Sequence, residues 1–206
     1  MNPQPPGPDG AKTERHREII AAALQEFYEQ GFAAARLDAI AERAGVAKGT
    51  VYLYFDSKEA LFEGAVRSVI VPVIERIETL ARQPSGLASN LLTQMLVTFY
   101  TQVIATDRRR LLRLLISEGP RFPNILAFYH AEVVSKGMAA IRSLVSYGVE
   151  RGEFRTTAAV DFPQVVLGPA LAGALWTILF DDIDPIDLNG LCEAHLDIML
   201  NGLKVR

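Results

Sequence analysis

One short stretch of the chain combines hydrogen-bonding side chains with small and apolar residues at helical spacing. Val51 and Phe55 lie four residues apart, which places both on one face of a helix. With those two packed inward, five residues project outward or lie at the rim: Lys48, Gly49, Thr50, Tyr52 and Tyr54. Lysine donates to phosphate or to guanine acceptors, threonine offers a hydroxyl and a methyl group, and tyrosine hydroxyls hydrogen-bond phosphates. Glycine permits close backbone approach. The pattern suits contact with the phosphates and base edges of a nucleic acid.

Two short helices must position these side chains, and the spacing predicts them at about 38–44 and 48–54. Apolar residues such as Ile40 and Val51 recur at intervals that close the two helices on each other. Gly45 lies at the turn, where a left-handed residue lets the chain reverse within a few residues. This is the geometry of a helix-turn-helix, whose second helix is free to enter a major groove.

Two further basic residues flank this stretch. Arg36 precedes the first of the two helices, and Lys58 opens the helix that follows them. The N-terminal amides of these helices also attract phosphate. A purely structural interpretation of these residues stays open. In it, Tyr52 and Tyr54 are aromatic residues of the core, and Lys58 is a solvated lysine at the start of a helix. Small helical hairpins also share the bare pattern.

The composition limits the class of protein but does not by itself indicate a function. Half of the 206 residues are apolar, which supplies a sizeable core and excludes disorder of the whole chain. The net charge is −3, and acidic residues outnumber basic ones within residues 1–60. Contact with DNA must therefore depend on where individual basic residues lie, because a basic side chain attracts a phosphate only within about 8–10 Å. The single cysteine, Cys192, fits a reducing cytoplasm and provides no internal disulfide.

The rest of the chain is predicted to be helical throughout, so the fold class is all-α. A long helix begins at Ser57 and is kinked or joined at Pro72. Later helices are predicted at 87–105, 108–117, 123–151, 159–180 and 186–203. We expect a disordered tail over 1–11, a DNA-binding domain over 12–57, and a larger effector-binding and dimerisation domain over 58–206. No secretory signal is evident, and the apolar run from Val165 to Phe180 is too short and interrupted for a membrane span, so we expect a cytoplasmic protein.

Residues 13–64 resemble the N-terminal domain of the tetracycline-repressor (TetR) family. The resemblance is carried by four groups of residues: Gly31-Phe32, Asp38–Ala41, Ala44–Phe55 and Ser57–Phe62. It implies a homodimer, a palindromic DNA operator and a C-terminal effector pocket, as in a repressor released by a small apolar or amphipathic effector. It also implies DNA contacts at the matching positions, which are Lys48, Gly49, Thr50, Tyr52, Tyr54 and Lys58.

Two positions depart from the family pattern. The family usually has Ser or Thr just before its second helix, where this chain has Ala35 and Arg36, and Ser before the Lys-Gly-Thr, where this chain has Ala47. Both are N-cap positions, and the loss of such a cap typically costs about 1 kcal/mol. Our hypothesis is that Arg36 compensates at the first site by reaching a phosphate.

The C-terminal part offers candidates for an effector pocket and for dimer formation. Effector sites between helices are mostly apolar, and the candidate lining residues are Met95, Phe99, Tyr100, Leu115, Phe128, Met138 and Trp176. Each of them also fits ordinary core packing. The last two helices carry an apolar face that suits a four-helix interface between two copies; it comprises Ala170, Ala174, Leu175, Ile178, Leu191, Leu196 and Leu200.

Two other classes of function stay open. An enzyme is disfavoured because the sequence has no complete phosphate loop, no zinc-binding His pair and no Gly-Xaa-Ser-Xaa-Gly elbow. A helical ligand-binding protein with a degenerated DNA-reading head is supported by the two missing caps and the weak local charge. We expect no catalytic residues, no metal and no cofactor. The sequence does not specify the effector, the operator or the sign of regulation.

Overall fold

Helices make up the regular structure of the computed structural model, which describes residues 8–205, with side chains from residue 12 onward. Between residues 8 and 205, β structure is limited to an isolated bridge between Phe154 and Lys204. The α-helices are α1 (Pro8–Ala34), α2 (Leu37–Arg43), α3 (Lys48–Tyr54), α4 (Lys58–Val69), α5 (Val71–Arg82), α6 (Ala88–Phe99), α7 (Arg109–Glu118), α8 (Pro123–Tyr129), α9 (Ser135–Glu150), α10 (Gln164–Phe180) and α11 (Leu188–Leu203). The all-α prediction is confirmed.

The chain divides into two compact units. The first unit reaches Val69 and also includes Leu114–Leu126. Its core centres on the rings of Phe27, Phe32 and Phe62, whose centroids lie 5.5–5.8 Å apart in tilted and edge-to-face arrangements. The compact unit is thus larger than the 12–57 segment, because α4 packs on α1 and the later segment joins the same core.

The second unit runs from Ile70 to Arg113 and from Ala127 onward. Helices α5, α6 and α9 enclose its main core, in which Leu92, Leu96 and Leu144 are fully buried. Ala170 and Ala174 pack on Tyr100 and Ile104 in a smaller cluster. Both alanines were expected on the dimer face, but this inward packing removes them from it. The small side chains instead let α10 approach the core closely.

Two helix breaks follow from glycine and proline. Helix α1 is kinked at Gly31, whose φ of 78° is in the region that favours glycine. The long helix expected from Ser57 is divided at Ile70, and Pro72 then lies in the first turn of α5, where its missing N–H costs no hydrogen bond. The expected join near Pro72 therefore separates two helices, α4 and α5. The Ser57 hydroxyl accepts from the Ala60 N–H at 3.0 Å, as a helix-start cap does.

Other predicted boundaries need adjustment. The expected helix over 123–151 contains a π-helical turn at His130–Val134, and the one over 87–105 ends in another at Tyr100–Ile104. Of the tail expected over 1–11, residues 1–7 lie outside the described residues, whereas 8–11 form the start of α1. Pro8 is compatible with that place because proline fits the first turn of a helix.

Glu153 caps α6 from a distant loop, and this contact gives a pH prediction. Its carboxylate accepts from the Ala88 N–H at 2.6 Å and from the Ser89 N–H at 2.9 Å. Partial burial raises the pKa of Glu153, but hydrogen bonds from the Ser89 side chain and these two amides outweigh it and lower the pKa below its ordinary value of 4.5. A lowered pKa stabilises the fold above that ordinary value, and this stabilisation is lost as pH falls through the lowered pKa.

We expect Glu153→Gln to lower the free energy of unfolding at neutral pH, because the uncharged amide is a weaker acceptor for the amides of α6. The deficit should shrink under acid conditions, where the wild-type carboxylate is protonated. Urea unfolding at about pH 7 and at an acid pH well below 4.5, where the lowered pKa of Glu153 is also passed, measures both values. A deficit that is the same at the two pH values would contradict the assigned role of the charge.

Candidate DNA interface and ligand cavity

The turn between α2 and α3 has the geometry that its sequence predicts. Gly45 adopts a φ of 66°, and the Val46 N–H donates to the Ala41 carbonyl at 2.9 Å, which reverses the chain between the two helices. Ile40 of α2 and Val51 of α3 are fully buried. Helix α3 therefore turns one face to the core and leaves the other free for a partner.

The outer face of α3 carries most of the residues predicted for it. Lys48 and Gly49 are exposed, and no atom lies within 4 Å of the position that a Cβ would take on Gly49. The Tyr52 side chain is 46% exposed, which excludes it from the core of the described chain. Thr50 and Tyr54 are half-buried, and the Tyr54 ring lies 6.0 Å from the ring of His16.

An ion-pair cluster lies beside the two helix starts that lack a side-chain cap. No side-chain cap bond forms at Arg36 or Ala47, the N-cap residues of α2 and α3 among the residues described. Instead, Asp38 in the first turn of α2 accepts from the Lys48 ammonium at 2.8 Å and lies 3.7 Å from the Arg36 guanidinium. The hydrogen bond with Lys48 is the main cause that lowers the pKa of Asp38, and it raises the pKa of Lys48. Two predicted phosphate contacts are thus paired with a carboxylate in the free protein.

We expect Asp38→Asn to raise the affinity for DNA of any sequence, because it frees Lys48 and Arg36 and removes a negative charge beside them. An increase of about three- to tenfold at low salt is expected, with a steeper dependence on salt concentration. Fluorescence anisotropy with operator and random duplexes across a salt series measures both quantities. Glu42→Gln, which removes a charge from the same helix, is the control. Unchanged binding of random DNA by the Asp38 variant would contradict the masking role of Asp38.

Lys58 lies within the first unit in a different setting from the other basic residues. Its ammonium donates to the carbonyls of Ala33 at 3.0 Å and Ala35 at 3.1 Å, and it lies 4.8 Å from the centroid of the Phe32 ring. In the free protein Lys58 therefore holds the turn between α1 and α2. A phosphate contact by Lys58 requires that it add a partner or exchange one.

Leu53 is a candidate contact that sequence reasoning missed. Its side chain is 84% exposed, more than that of any other large apolar residue in the described part of the chain. The signal was present in the sequence: Val51 and Phe55 fill the inward face, and Leu53 lies between them on the opposite side of the helix. An exposed leucine on this face suits an apolar contact such as the methyl group of thymine.

The second unit encloses an apolar cavity of about 130 Å³. Its wall comes from α5, α6, α7, α8, α9, α10 and the π-helical turn after α8, and includes Ile74, Ile77, Met95, Leu96, Phe99, Leu112, Tyr129, Val133, Gly137, Met138, Ile141, Leu167 and Leu171. A cavity of this size accepts an apolar group about as large as benzene. A longer ligand requires side chains of the wall to move.

Three of the seven predicted pocket residues line this cavity: Met95, Phe99 and Met138. The other four lie elsewhere. Leu115 belongs to the first unit, Phe128 is half-buried outside the cavity wall, and the exposed Trp176 indole donates to the Asp184 carbonyl at 2.7 Å.

Tyr100 is not among the residues that line the cavity. Its hydroxyl lies 3.2 Å from Nδ1 of the buried His195, and burial raises the pKa of Tyr100 to about 12. The hydroxyl is therefore neutral near physiological pH and satisfied within the protein.

Comparison with known proteins decides the family. The model described as "Bacterial regulatory proteins, tetR family" matches residues 19–65, the segment that contains α2, α3 and their turn. The chain carries the DNA-binding domain of TetR-family transcriptional regulators. The family resemblance of the sequence is confirmed, and the helix-turn-helix is its DNA-binding element.

Two full-length relatives extend this likeness beyond the matched segment. The "Fatty acid metabolism regulator protein" of Bacillus subtilis is 23% identical over 193 residues, which cover 93% of this chain and 97% of the relative. The "HTH-type transcriptional repressor KstR2" of Rhodococcus jostii is 23% identical over 204 residues, 98% of each chain. Both are similar to this chain across their whole lengths.

A solved structure shares the fold. The transcriptional regulator FadR from Bacillus subtilis, in complex with stearoyl-CoA, has a TM-score of 0.69 at 21% identity, covering 91% of this chain and 98% of its own. The shared fold therefore includes helices of both units. Within residues 8–205, no helix combines the length and the apolar character that a membrane span requires.

Proposed function

We propose that the protein is a ligand-responsive repressor, a homodimer that binds a palindromic operator in the cytoplasm and is released by a long-chain acyl effector. The division into a DNA-binding segment over 12–57 and an effector-binding and dimerisation segment over 58–206 is part of this proposal. The observation that carries it is the pairing of an exposed α3 face with an apolar cavity in a TetR-family chain.

The proposed DNA contacts extend from the turn before α2 to the start of α4, and they comprise Arg36, Lys48, Gly49, Thr50, Tyr52, Tyr54 and Lys58. Lys48 and Arg36 exchange Asp38 for phosphates, while Gly49 allows the backbone to approach the groove. The tyrosine hydroxyls and Thr50 fix the register on the sugar-phosphate backbone. Specificity then comes from residues that reach base edges, among which we include Leu53.

We expect Leu53→Ala to weaken operator binding about tenfold and to relax the preference at one base pair in each half-site. Replacing each operator thymine in turn by uracil removes a single methyl group and identifies that base pair. At that base pair, uracil in place of thymine should weaken operator binding by the wild-type protein. The same replacement should not weaken operator binding by Leu53→Ala. If every uracil substitution weakens the two proteins equally, Leu53 makes no methyl contact.

The cavity supports an acyl chain as the effector. Its wall consists of aliphatic, aromatic and thioether side chains that favour hydrocarbon over polar ligands. A fatty-acid regulator and a FadR complex with stearoyl-CoA are among the similar proteins. Because the cavity is smaller than a long acyl chain, binding must displace wall residues. Such displacement is what gives a ligand different affinities for two conformations.

The exposed apolar face of α10 and α11 supports the proposed dimer. Val165, Trp176 and Leu179 are 40–63% exposed along one stripe of α10, and Ile198 of α11 is 73% exposed. Val165 and Ile198 line one groove of about 320 Å³ in the second unit. Apolar side chains grouped in this way mark an interaction surface, and a second copy supplies a matching one by two-fold symmetry.

The mechanism follows from the spacing that a dimer must present to DNA. The two α3 helices bind successive major grooves when they lie about 34–36 Å apart. An effector that binds better to a dimer with a different spacing lowers operator affinity, and only by the ratio of its affinities for the two states. An effector of this kind releases the protein from its operator, so repression ends when the effector binds.

A binding experiment tests the proposal directly. We would titrate upstream intergenic DNA with the purified protein across a salt series, with random DNA as control, and then add stearoyl-CoA or stearate. Specific binding at a palindrome and release by stearoyl-CoA are the expected results. Weak binding that is indifferent to sequence would instead favour a ligand-binding protein with a degenerated DNA-reading head, and turnover of the ligand would indicate an enzyme.

A further inference from the structure

A segment from the middle of the chain belongs to the DNA-binding unit. Leu114–Leu126 comprises the end of α7, a 3₁₀ turn at Gly119–Arg121 and the start of α8, and it groups with α1–α4. The Phe122 ring meets the Phe32 ring edge-on, with centroids 4.7 Å apart. The turn that leads into the helix-turn-helix is therefore packed against residues far along the sequence.

Glu118 forms a polar contact between this segment and the turn that joins α1 to α2. One of its carboxylate oxygens accepts from the Ala33 N–H at 2.7 Å. The other lies against Gly31, where the Cβ of any other residue would overlap it. Glu118 thus gives the Ala33 amide an acceptor two residues beyond the kink at Gly31, where the backbone of α1 departs from helical geometry.

The turn between α1 and α2 is hydrogen-bonded by a basic side chain as well as by an acidic one. Lys58 of α4 binds the carbonyls of Ala33 and Ala35, while Glu118 binds the amide of Ala33. Arg36 follows directly and is the N-cap residue of α2. The position at which α2 begins is thus set by Lys58 and Glu118 together, and only Glu118 comes from outside α1–α4.

The residues that flank this segment in sequence line the effector cavity. Leu112 precedes it by two residues and Tyr129 follows it by three, and both form part of the cavity wall. A ligand that displaces either wall residue therefore acts on a chain segment joined covalently to the support of the turn. Chain continuity alone provides this connection.

From these contacts we infer that Glu118 is a positioning residue that couples effector binding to DNA binding. Its carboxylate holds the Gly31–Arg36 turn in the form that presents α2 and α3 to the operator. Effector binding shifts Leu112 and Tyr129, withdraws the carboxylate and leaves the turn unsupported. The inference rests on the proposed function for the identity of the effector, but not for the role of Glu118 in operator binding.

The test compares Glu118→Ala with Glu118→Gln in the full-length protein. The alanine variant should bind operator about tenfold more weakly than the wild type without effector, and stearoyl-CoA should no longer change that affinity. The glutamine variant keeps an oxygen acceptor for the Ala33 N–H and should recover most of both properties. Because coupling is reciprocal, operator DNA should weaken stearoyl-CoA binding to the wild type and not to Glu118→Ala. A merely structural role would lower stability without changing the coupling ratio.

Wild-type operator affinity and a wild-type release ratio in Glu118→Ala would overturn the inference. If Glu118→Ala does not fold, Glu118→Asp keeps the charge on a side chain one methylene shorter, and it should show the same loss of coupling. A wild-type protein that ignores stearoyl-CoA would instead overturn the proposed effector. Operator affinity alone then decides the role of Glu118: a loss in the alanine variant that glutamine restores supports it, and equal affinity in all three proteins overturns it.

Discussion

Gly137→Phe is expected to give a protein that binds operator DNA normally and is not released by stearoyl-CoA. Gly137 lies in the first turn of α9 and forms part of the cavity wall. A Cβ added there meets a single neighbouring atom, Cδ1 of Ile74, at 4.0 Å, so the backbone accepts a side chain. A phenyl ring is about the size that a cavity of about 130 Å³ holds, and it would occupy the space of the ligand.

The same position provides its own control. Gly137→Ala adds one methyl group and improves helix propensity as Phe also does, but it leaves the cavity nearly empty. We therefore expect release by stearoyl-CoA to persist in the alanine variant and to need at least about a hundredfold more effector in the phenylalanine variant. Operator release measured by anisotropy, with calorimetry for stearoyl-CoA binding, separates the two. Normal release of Gly137→Phe would place the effector outside this cavity.

Local spacing predicted the DNA-binding element well because short-range rules determine it. Gly45 fixes the turn through its positive φ, and Val51 with Phe55 fixes which face of α3 is buried. Leu53 was missed because the predicted contacts comprised Gly49 and side chains that form hydrogen bonds. Its place opposite Val51 and Phe55 nevertheless indicates an exposed side chain.

Contacts between distant residues could not be derived in this way. Asp38 and Lys48 lie on different helices, and Ala33 and Glu118 are separated by 85 positions. No periodicity connects such pairs, since their approach depends on how helices pack. The cavity was only partly predicted for a similar reason. Phe99 and Tyr100 are neighbours, yet Phe99 lines the cavity and Tyr100 bonds His195, where a π-helical turn begins and the 3.6-residue period is interrupted.

The dimer face on the last two helices stays a proposal, and two of the residues expected on it are wrong. Sequence reasoning selected Ala170 and Ala174, which are buried within the chain. Small residues on an apolar helix suit close packing against either a partner or the helix's own core, and spacing does not distinguish the two. The exposed fraction of each side chain does distinguish the two, and it favours Leu179 and Ile198 as residues of the proposed interface.

Ile198→Asp should therefore convert the dimer into monomers. The side chain is 73% exposed in the single chain, so a carboxylate there costs little in the monomer but is buried at the proposed interface. Loss of the second α3 removes the gain from two linked contacts, and operator affinity should fall by a factor of about 10²–10⁴. Sedimentation velocity measures the mass, and anisotropy with full and half operators measures the affinity.

Leu87→Asp is the matched control, because Leu87 is 54% exposed in the same unit and lies at the N-cap of α6, away from α10 and α11 in the sequence. It should stay dimeric and bind the operator as the wild type does. The monomeric Ile198→Asp protein should bind a half operator as tightly as a full one, since each chain then contacts DNA independently. A stable Ile198→Asp dimer with full operator affinity would show that the two copies meet through another surface, and the exposed stripe of α10 would then need a different partner.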